Sequence, residues 1–200
     1  MIQRIPIGAT WRRWRSGTIL LVIALALSGL NIVLPATAQN ALALTSDTGA
    51  PVPVHRWWHD GDRDWVTIPV DASQPSNETM VAWGYTNVSP VQYYVDVIDN
   101  AAPDLVAVHR WWHDGDRDWV DIRAGSISDA TMIAWGYTNK HFQYFAYTTP
   151  ASGRAAINRW WHDGDRDWVT IRQDEVPDAT MTAWGYTNKQ LLVYAYTTQS

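Results

Sequence analysis

The sequence predicts an all-β fold, a β-trefoil of three internal repeats, and three observations carry that expectation. A block of twelve residues, His55-Arg56-Trp57-Trp58-His59-Asp60-Gly61-Asp62-Arg63-Asp64-Trp65-Val66, returns unchanged as His109–Val120 and, with Asn158 in place of the first histidine, as Asn158–Val169. A second block, Thr79-Met80-Val81-Ala82-Trp83-Gly84-Tyr85-Thr86-Asn87, returns as Thr131–Asn139 and Thr180–Asn188 with one position varied. Each copy then closes on an apolar and aromatic stretch, Gln92–Val97, Phe142–Thr149 and Leu191–Thr198. The equivalent residues Asp60, Asp114 and Asp163 are 54 and 49 residues apart, the period of a repeated supersecondary unit.

Within a copy the apolar pattern has period two and uses residues that suit a pleated sheet. His55–His59 and Trp65–Val70 read as two strands joined through an Asp60-Gly61 turn, the pairing that closes hairpins. Asp129–Trp135 reads as one helical turn, capped by Asp129 and stopped at Gly136. Tyr137-Thr138 enters a short third strand. The alternation of Leu192, Tyr194 and Tyr196 with Leu191, Val193 and Ala195 marks a closing one. Three copies of about four strands suit a β-trefoil, which closes as a monomer. The alternative is propeller-type blades, whose closure would need oligomerisation because three blades are too few. Closure without a partner is the simpler way to remove sheet edges.

Residues 1–38 read as a signal peptide: a basic stretch to Arg15, an apolar run from Thr18 to Leu34, and Ala36-Thr37-Ala38 as a small-x-small cleavage pattern before Gln39. Residues 39–53 form a short leader, and 54–200 the three-repeat domain, with repeats at 54–100, 107–150 and 156–200. All four basic residues before position 39 lie in the signal segment, which leaves 11 basic against 20 acidic residues in the rest. That balance argues against a nucleic-acid partner, since phosphate binding needs a basic face. A secreted or periplasmic chain without cysteine has to hold itself together by packing alone.

Arg56-Trp57-Trp58-His59, Asp64-Trp65-Val66-Thr67, Gly84-Tyr85 and the closing Tyr194-Ala195-Tyr196 resemble a secreted repeat family of unknown function. Its units run Tyr-Arg-Phe-Tyr-Asn, then Asp-His-Phe-Tyr-Thr-Thr, then Gly-Tyr and a final aromatic strand. The resemblance covers residues 54–200: Arg56 and Trp57 match the Arg-aromatic pair, Asp64 the Asp, and Gly84-Tyr85 the Gly-Tyr. The family's small Gly-containing loop is replaced here by His59–Arg63, its His-Phe-Tyr by Trp65-Val66-Thr67, and no Glu-Gly follows Gly84-Tyr85. That family is similar to β-trefoil modules appended to secreted hydrolases, which implies binding rather than chemistry and assigns no activity to any residue.

The most unusual feature is the loop Asp60-Gly61-Asp62-Arg63-Asp64, because a turn needs Asp-Gly but not two further aspartates. The loops are letter-identical while the spacers Arg123–Ile127 and Arg172–Val176 have diverged. One reading is a charge-clamped hairpin end in which Arg56 and Arg63 pair with Asp64 and Asp62. A second is calcium held by the alternating oxygens of Asp60, Asp62 and Asp64, of Asp114, Asp116 and Asp118, and of Asp163, Asp165 and Asp167; flanking helices and the EF-hand glycine are missing. A third is a sugar site in each copy around Trp57, His59 and Asp62, Trp111, His113 and Asp116, and Trp160, His162 and Asp165. Strand alternation puts Trp57 beside His59 for stacking and leaves Trp58 for the core; Trp65, Trp83 and Tyr85 read as core residues. Catalysis is disfavoured, since no Ser, Cys or Glu recurs beside the repeated histidine. The expectation is a monomeric, non-catalytic module that binds a carbohydrate or cell-envelope surface at three sites, with no membrane contact once the signal is cleaved. The alternative is a structural or protein-adhesion repeat.

Overall fold

A computed structural model of the chain describes residues 49–86 and 88–199. The segment 1–38 expected to be a signal peptide and most of the expected leader, 39–53, lie outside the described residues. Copy one comprises β1 (Val52–His59), β2 (Asp64–Pro69), α1 (Asn77–Ala82), β3 (Tyr85–Thr86) and β4 (Tyr93–Val95). Copy two comprises β5 (Leu105–His113), β6 (Asp118–Arg123), α2 (Asp129–Ala134) and β7 (Tyr137–Tyr147), and copy three β8 (Arg154–His162), β9 (Asp167–Arg172), α3 (Asp178–Ala183) and β10 (Tyr186–Tyr196). The described residues are therefore mostly β, and every pairing among their strands is antiparallel.

Each hairpin pairs residue for residue, His59 opposite Asp64 and Val54 opposite Pro69 in copy one. The left-handed position of its turn falls on Arg63, with φ 59°, rather than on Gly61, and Arg117 and Arg166 adopt the same φ. The Arg63 N–H closes the turn on the His59 carbonyl at 2.8 Å. A non-glycine residue there is mildly strained, and the arginine side chain gains a partner from this placement, as shown below. The helices are one and a half turns long. Their N-terminal cap is Ser76 in α1 and Ser128 in α2, whose hydroxyls accept from the Thr79 and Thr131 N–H at 3.2 and 3.1 Å, so Asp129 lies inside the first turn rather than capping it.

The closing segment corrects the count of four strands per copy. β7 and β10 each run eleven residues without a break, absorbing two register shifts against β5 and β8. Only copy one splits into β3 and β4, because its sequence carries one extra residue between Thr86 and Tyr93 and a proline, Pro90, which has no N–H to give a ladder.

The three closing strands meet in pairs: Tyr94 faces Tyr196, Tyr147 faces Tyr194, and Asp96 bridges to Phe145. They enclose a central core of Val54, Val108 and Ile157 from the first strands and Tyr93, Tyr144 and Val193 from the last. That layer breaks the symmetry of the copies: the Tyr93 and Tyr144 hydroxyls meet at 3.3 Å and the third position is a valine. A further asymmetric layer places buried Asp121 between Thr67 and Thr170, whose hydroxyls donate to it at 2.6 and 3.3 Å. Around this centre sit three smaller cores, one under each helix: Trp57, Val66, Ile68 and Met80 in copy one, with matching sets in the others.

Candidate functional site

Neighbouring copies grip one another in a fixed cyclic order. Trp119 of copy two packs on the small core of copy one, Trp168 of copy three on that of copy two, and Trp65 of copy one on that of copy three. The turn arginines follow the same order: Arg117 pairs with Asp62, Arg166 with Asp116, and Arg63 with Asp165. A left-handed turn residue thus aims each guanidinium at the loop of the neighbouring copy, which corrects the charge-clamp reading: Arg63 pairs with Asp165 rather than Asp62, and Arg56 with Glu175 rather than Asp64.

This arrangement reassigns the residues expected to hold a sugar. Trp57, Trp111 and Trp160 are only 4, 4 and 6% exposed, because the helix packs Met80, Met132 or Met181 onto their faces, so they cannot stack on a ligand. Strand alternation placed Trp57 and Trp58 on opposite faces correctly, but the covered face is that of Trp57. Half-buried Trp58 tilts on Trp65 with ring centroids 4.9 Å apart and donates its indole N–H to Asp60. His59 brackets the loop to the helix end: Nδ1 accepts the Asp62 N–H at 2.9 Å and Nε2 lies 3.2 Å from the Trp83 carbonyl. A ring carrying its proton on Nε2 satisfies both contacts. His113 and His162 repeat the bracket. Asp62, Asp116 and Asp165 are engaged by the arginines of the next copy.

The bracket depends on one glycine per copy. Gly136 sits at φ 94°, and a Cβ there would lie 2.8 Å from His113 Nε2. Gly136→Ala is expected to cost about 2 kcal/mol from backbone strain and the displaced imidazole, read from a shift in the urea midpoint. An unchanged midpoint would show that the bracket contributes nothing.

The aspartates of one loop do not converge on a metal. Asp60 is exposed and bonded to Trp58, Asp62 points to the neighbouring copy, and Asp64 turns inward. What does converge is the last aspartate of each loop. Asp64, Asp118 and Asp167, each 1% exposed, bring carboxylate oxygens within 4.8 Å of one another at the centre of the three loops. One oxygen of each accepts a backbone N–H from the next copy at 3.2 Å: Trp119 to Asp64, Trp168 to Asp118 and Trp65 to Asp167. The Tyr85 hydroxyl donates to the second oxygen of Asp64 at 2.7 Å, whereas Oδ2 of Asp118 and of Asp167 is buried without a hydrogen-bond partner. Burial pushes Asp64 up to about 6, against the lowering effect of the Tyr85 hydrogen bond. Asp118 and Asp167 are driven well above the usual carboxylate range by burial first and by their neighbouring carboxylates second.

Sequence reading missed a further set of residues. Trp83, Trp135 and Trp184, expected in the core on the strength of Trp83, stand 57, 57 and 58% exposed at the C-terminal ends of the helices. Each borders a groove at a copy boundary whose far wall is an Arg–Trp pair of the next copy: Arg110 over Trp119, Arg159 over Trp168 and Arg56 over Trp65, at 4.7, 4.9 and 5.2 Å. The grooves have volumes of about 270, 230 and 270 Å³ in the order of their helices. The first is also lined by His59, Asp62 and Asn139, and the second by Asn188 and Gln190. An open indole face is a surface that can take the C–H face of a sugar ring, and in the first two grooves the adjoining amides can meet its hydroxyls; in the third, Arg56 is paired with Glu175 and no amide lines the groove. Comparison of the chain with protein-family models, with curated proteins and with solved structures finds no match in any of the three.

Proposed function

We propose that the protein is a secreted, non-catalytic binding module of β-trefoil architecture, a monomer presenting three related glycan sites to a polysaccharide or cell-envelope surface. The observation that carries this reading is the repetition of one groove at all three copy boundaries, each with an open indole facing an arginine-capped second indole. Trefoil closure is supported by the cyclic contacts of the copies and the pairwise meeting of their closing strands. Export is supported by the signal-peptide pattern of residues 1–38, and a binding role by the resemblance to secreted repeat modules. Among the described residues, no helix is long and apolar enough to cross a membrane. A non-catalytic role is supported by the engagement of both ring nitrogens of His59, His113 and His162 in holding the loops.

Grooves this shallow bind a single sugar at about millimolar strength, and three on one rigid body gain avidity only on a polymer or surface. Retention on insoluble polysaccharides should fall with each of Trp83→Ala, Trp135→Ala and Trp184→Ala and vanish in the triple variant, with the melting temperature of every variant near that of the wild type. Equal retention of wild type and triple variant, or retention of neither on any polysaccharide tested, would leave the structural or protein-adhesion reading, which the exposed Val81 and Ile133 beside the indoles would then serve.

A further inference from the structure

The three inner aspartates pose a problem that the rest of the chain does not solve. Each loop carries an arginine directly before its inner aspartate, yet all three arginines are directed to the outer Asp62, Asp116 and Asp165. The inner carboxylates are left with backbone N–H groups and one tyrosine hydroxyl. Two of their oxygens, Oδ2 of Asp118 and of Asp167, are sealed from solvent with no partner beyond each other's carboxyl groups, although buried carboxylate oxygens in folded proteins are almost always bonded.

We propose that Asp64, Asp118 and Asp167 together bind one calcium ion, each copy supplying one carboxylate oxygen at the centre of the three loops. The donor set is all oxygen and anionic, the chemistry of a hard cation. Calcium, with oxygens at about 2.3–2.6 Å, accommodates ligand oxygens up to about 5 Å apart, whereas magnesium at about 2.0–2.1 Å draws them to about 4 Å or less. One oxygen of each aspartate lies within 4.8 Å of the other two, a spacing that calcium's longer bonds bridge over its whole range. The N–H groups of Trp65, Trp119 and Trp168 fix the non-ligating side of each carboxylate, as outer partners do in metal sites generally. Because every ligand comes from a different copy and all are buried, the ion enters while the copies assemble rather than by diffusion into the finished fold.

The test refolds the denatured protein in calcium or in chelator, desalts it and measures its metal content and melting. Refolding in calcium should leave one calcium ion per chain and raise the melting temperature by roughly 10 °C over the chelator sample. Refolding in terbium should give emission sensitised by the adjoining tryptophans. Asp118→Asn and Asp167→Asn, close in shape to the wild type, should each lose the stoichiometric calcium and the terbium signal. Wild-type protein that refolds with no bound divalent cation and melts identically in both conditions would overturn the proposal, as would an Asn variant that retains the full calcium content. Retention of magnesium but not calcium would overturn the assignment of the ion. These readouts are independent of glycan retention, so either proposal can fail without the other.

Discussion

Trp111→Ala is expected to lower the unfolding free energy by about 3–5 kcal/mol, while Trp135→Ala, three residues beyond Met132, moves it by no more than about 0.5 kcal/mol. The two indoles belong to the same copy and differ in what covers them. Trp111 is enclosed by Val120, Ile122 and Met132, with the Lys140 ammonium 5.4 Å from its ring centroid, so truncation leaves a cavity under the helix. Trp135 has more than half its surface in solvent and leaves no cavity. Urea denaturation of the two variants gives the comparison directly. A larger loss for Trp135→Ala would mean that the helix ends pack differently and that the exposed indoles are not free for a ligand.

A chain ending at Pro150, lacking copy three, is expected to lose its cooperative fold entirely. The missing segment takes Ile157, Leu192, Val193 and Ala195 from the central core and removes β10, which pairs with both β4 and β7. It also strips Trp65 of the cluster it packs against and of the Asp167 oxygen that accepts its N–H, and it strips Arg63 of Asp165. With single-domain stabilities of about 5–15 kcal/mol, losses of this size at every layer exceed what the remaining two copies can hold. Near-ultraviolet circular dichroism and a thermal melt would show a flat spectrum and no transition. A cooperative melt from the two-copy chain would mean that the copies are separately stable and the cyclic contacts incidental.

The strands and the short helix were legible because alternation, the turn residues and a glycine stop are local signals. Parity separated Trp57 from Trp58 but could not say which face is covered, because the answer comes from Met80, more than twenty residues on, landing on the Trp57 side. Trp83 misled for a related reason: aromatic letters favour the interior, yet this one lies past the last buried residue of a helix too short to turn it inward. The aspartate triad was visible only as part of three acidic loops. Which aspartate of each loop turns inward depends on the left-handed arginine before it, a conformation that composition does not announce for a residue other than Gly, Asn or Asp. Pro90 was legible as a strand breaker in principle, but the repeat pattern around it masked a one-residue insertion.

Three nearly identical copies in one chain invite exchange between molecules, with a copy of one chain taking the place of a different copy in another. The loops and brackets cannot prevent this, since they are interchangeable. The central layers can. The Tyr93 and Tyr144 hydroxyls meet each other with Val193 in the third place, and Asp121 takes its hydroxyl donors from Thr67 and Thr170. A ring holding copy two twice would set two Asp121 carboxylates into one buried layer with one hydroxyl donor missing, and a ring holding copy three twice would leave a tyrosine hydroxyl without its partner. The core thus serves as an address label, its few departures from symmetry admitting one of each copy, while the loops around it repeat.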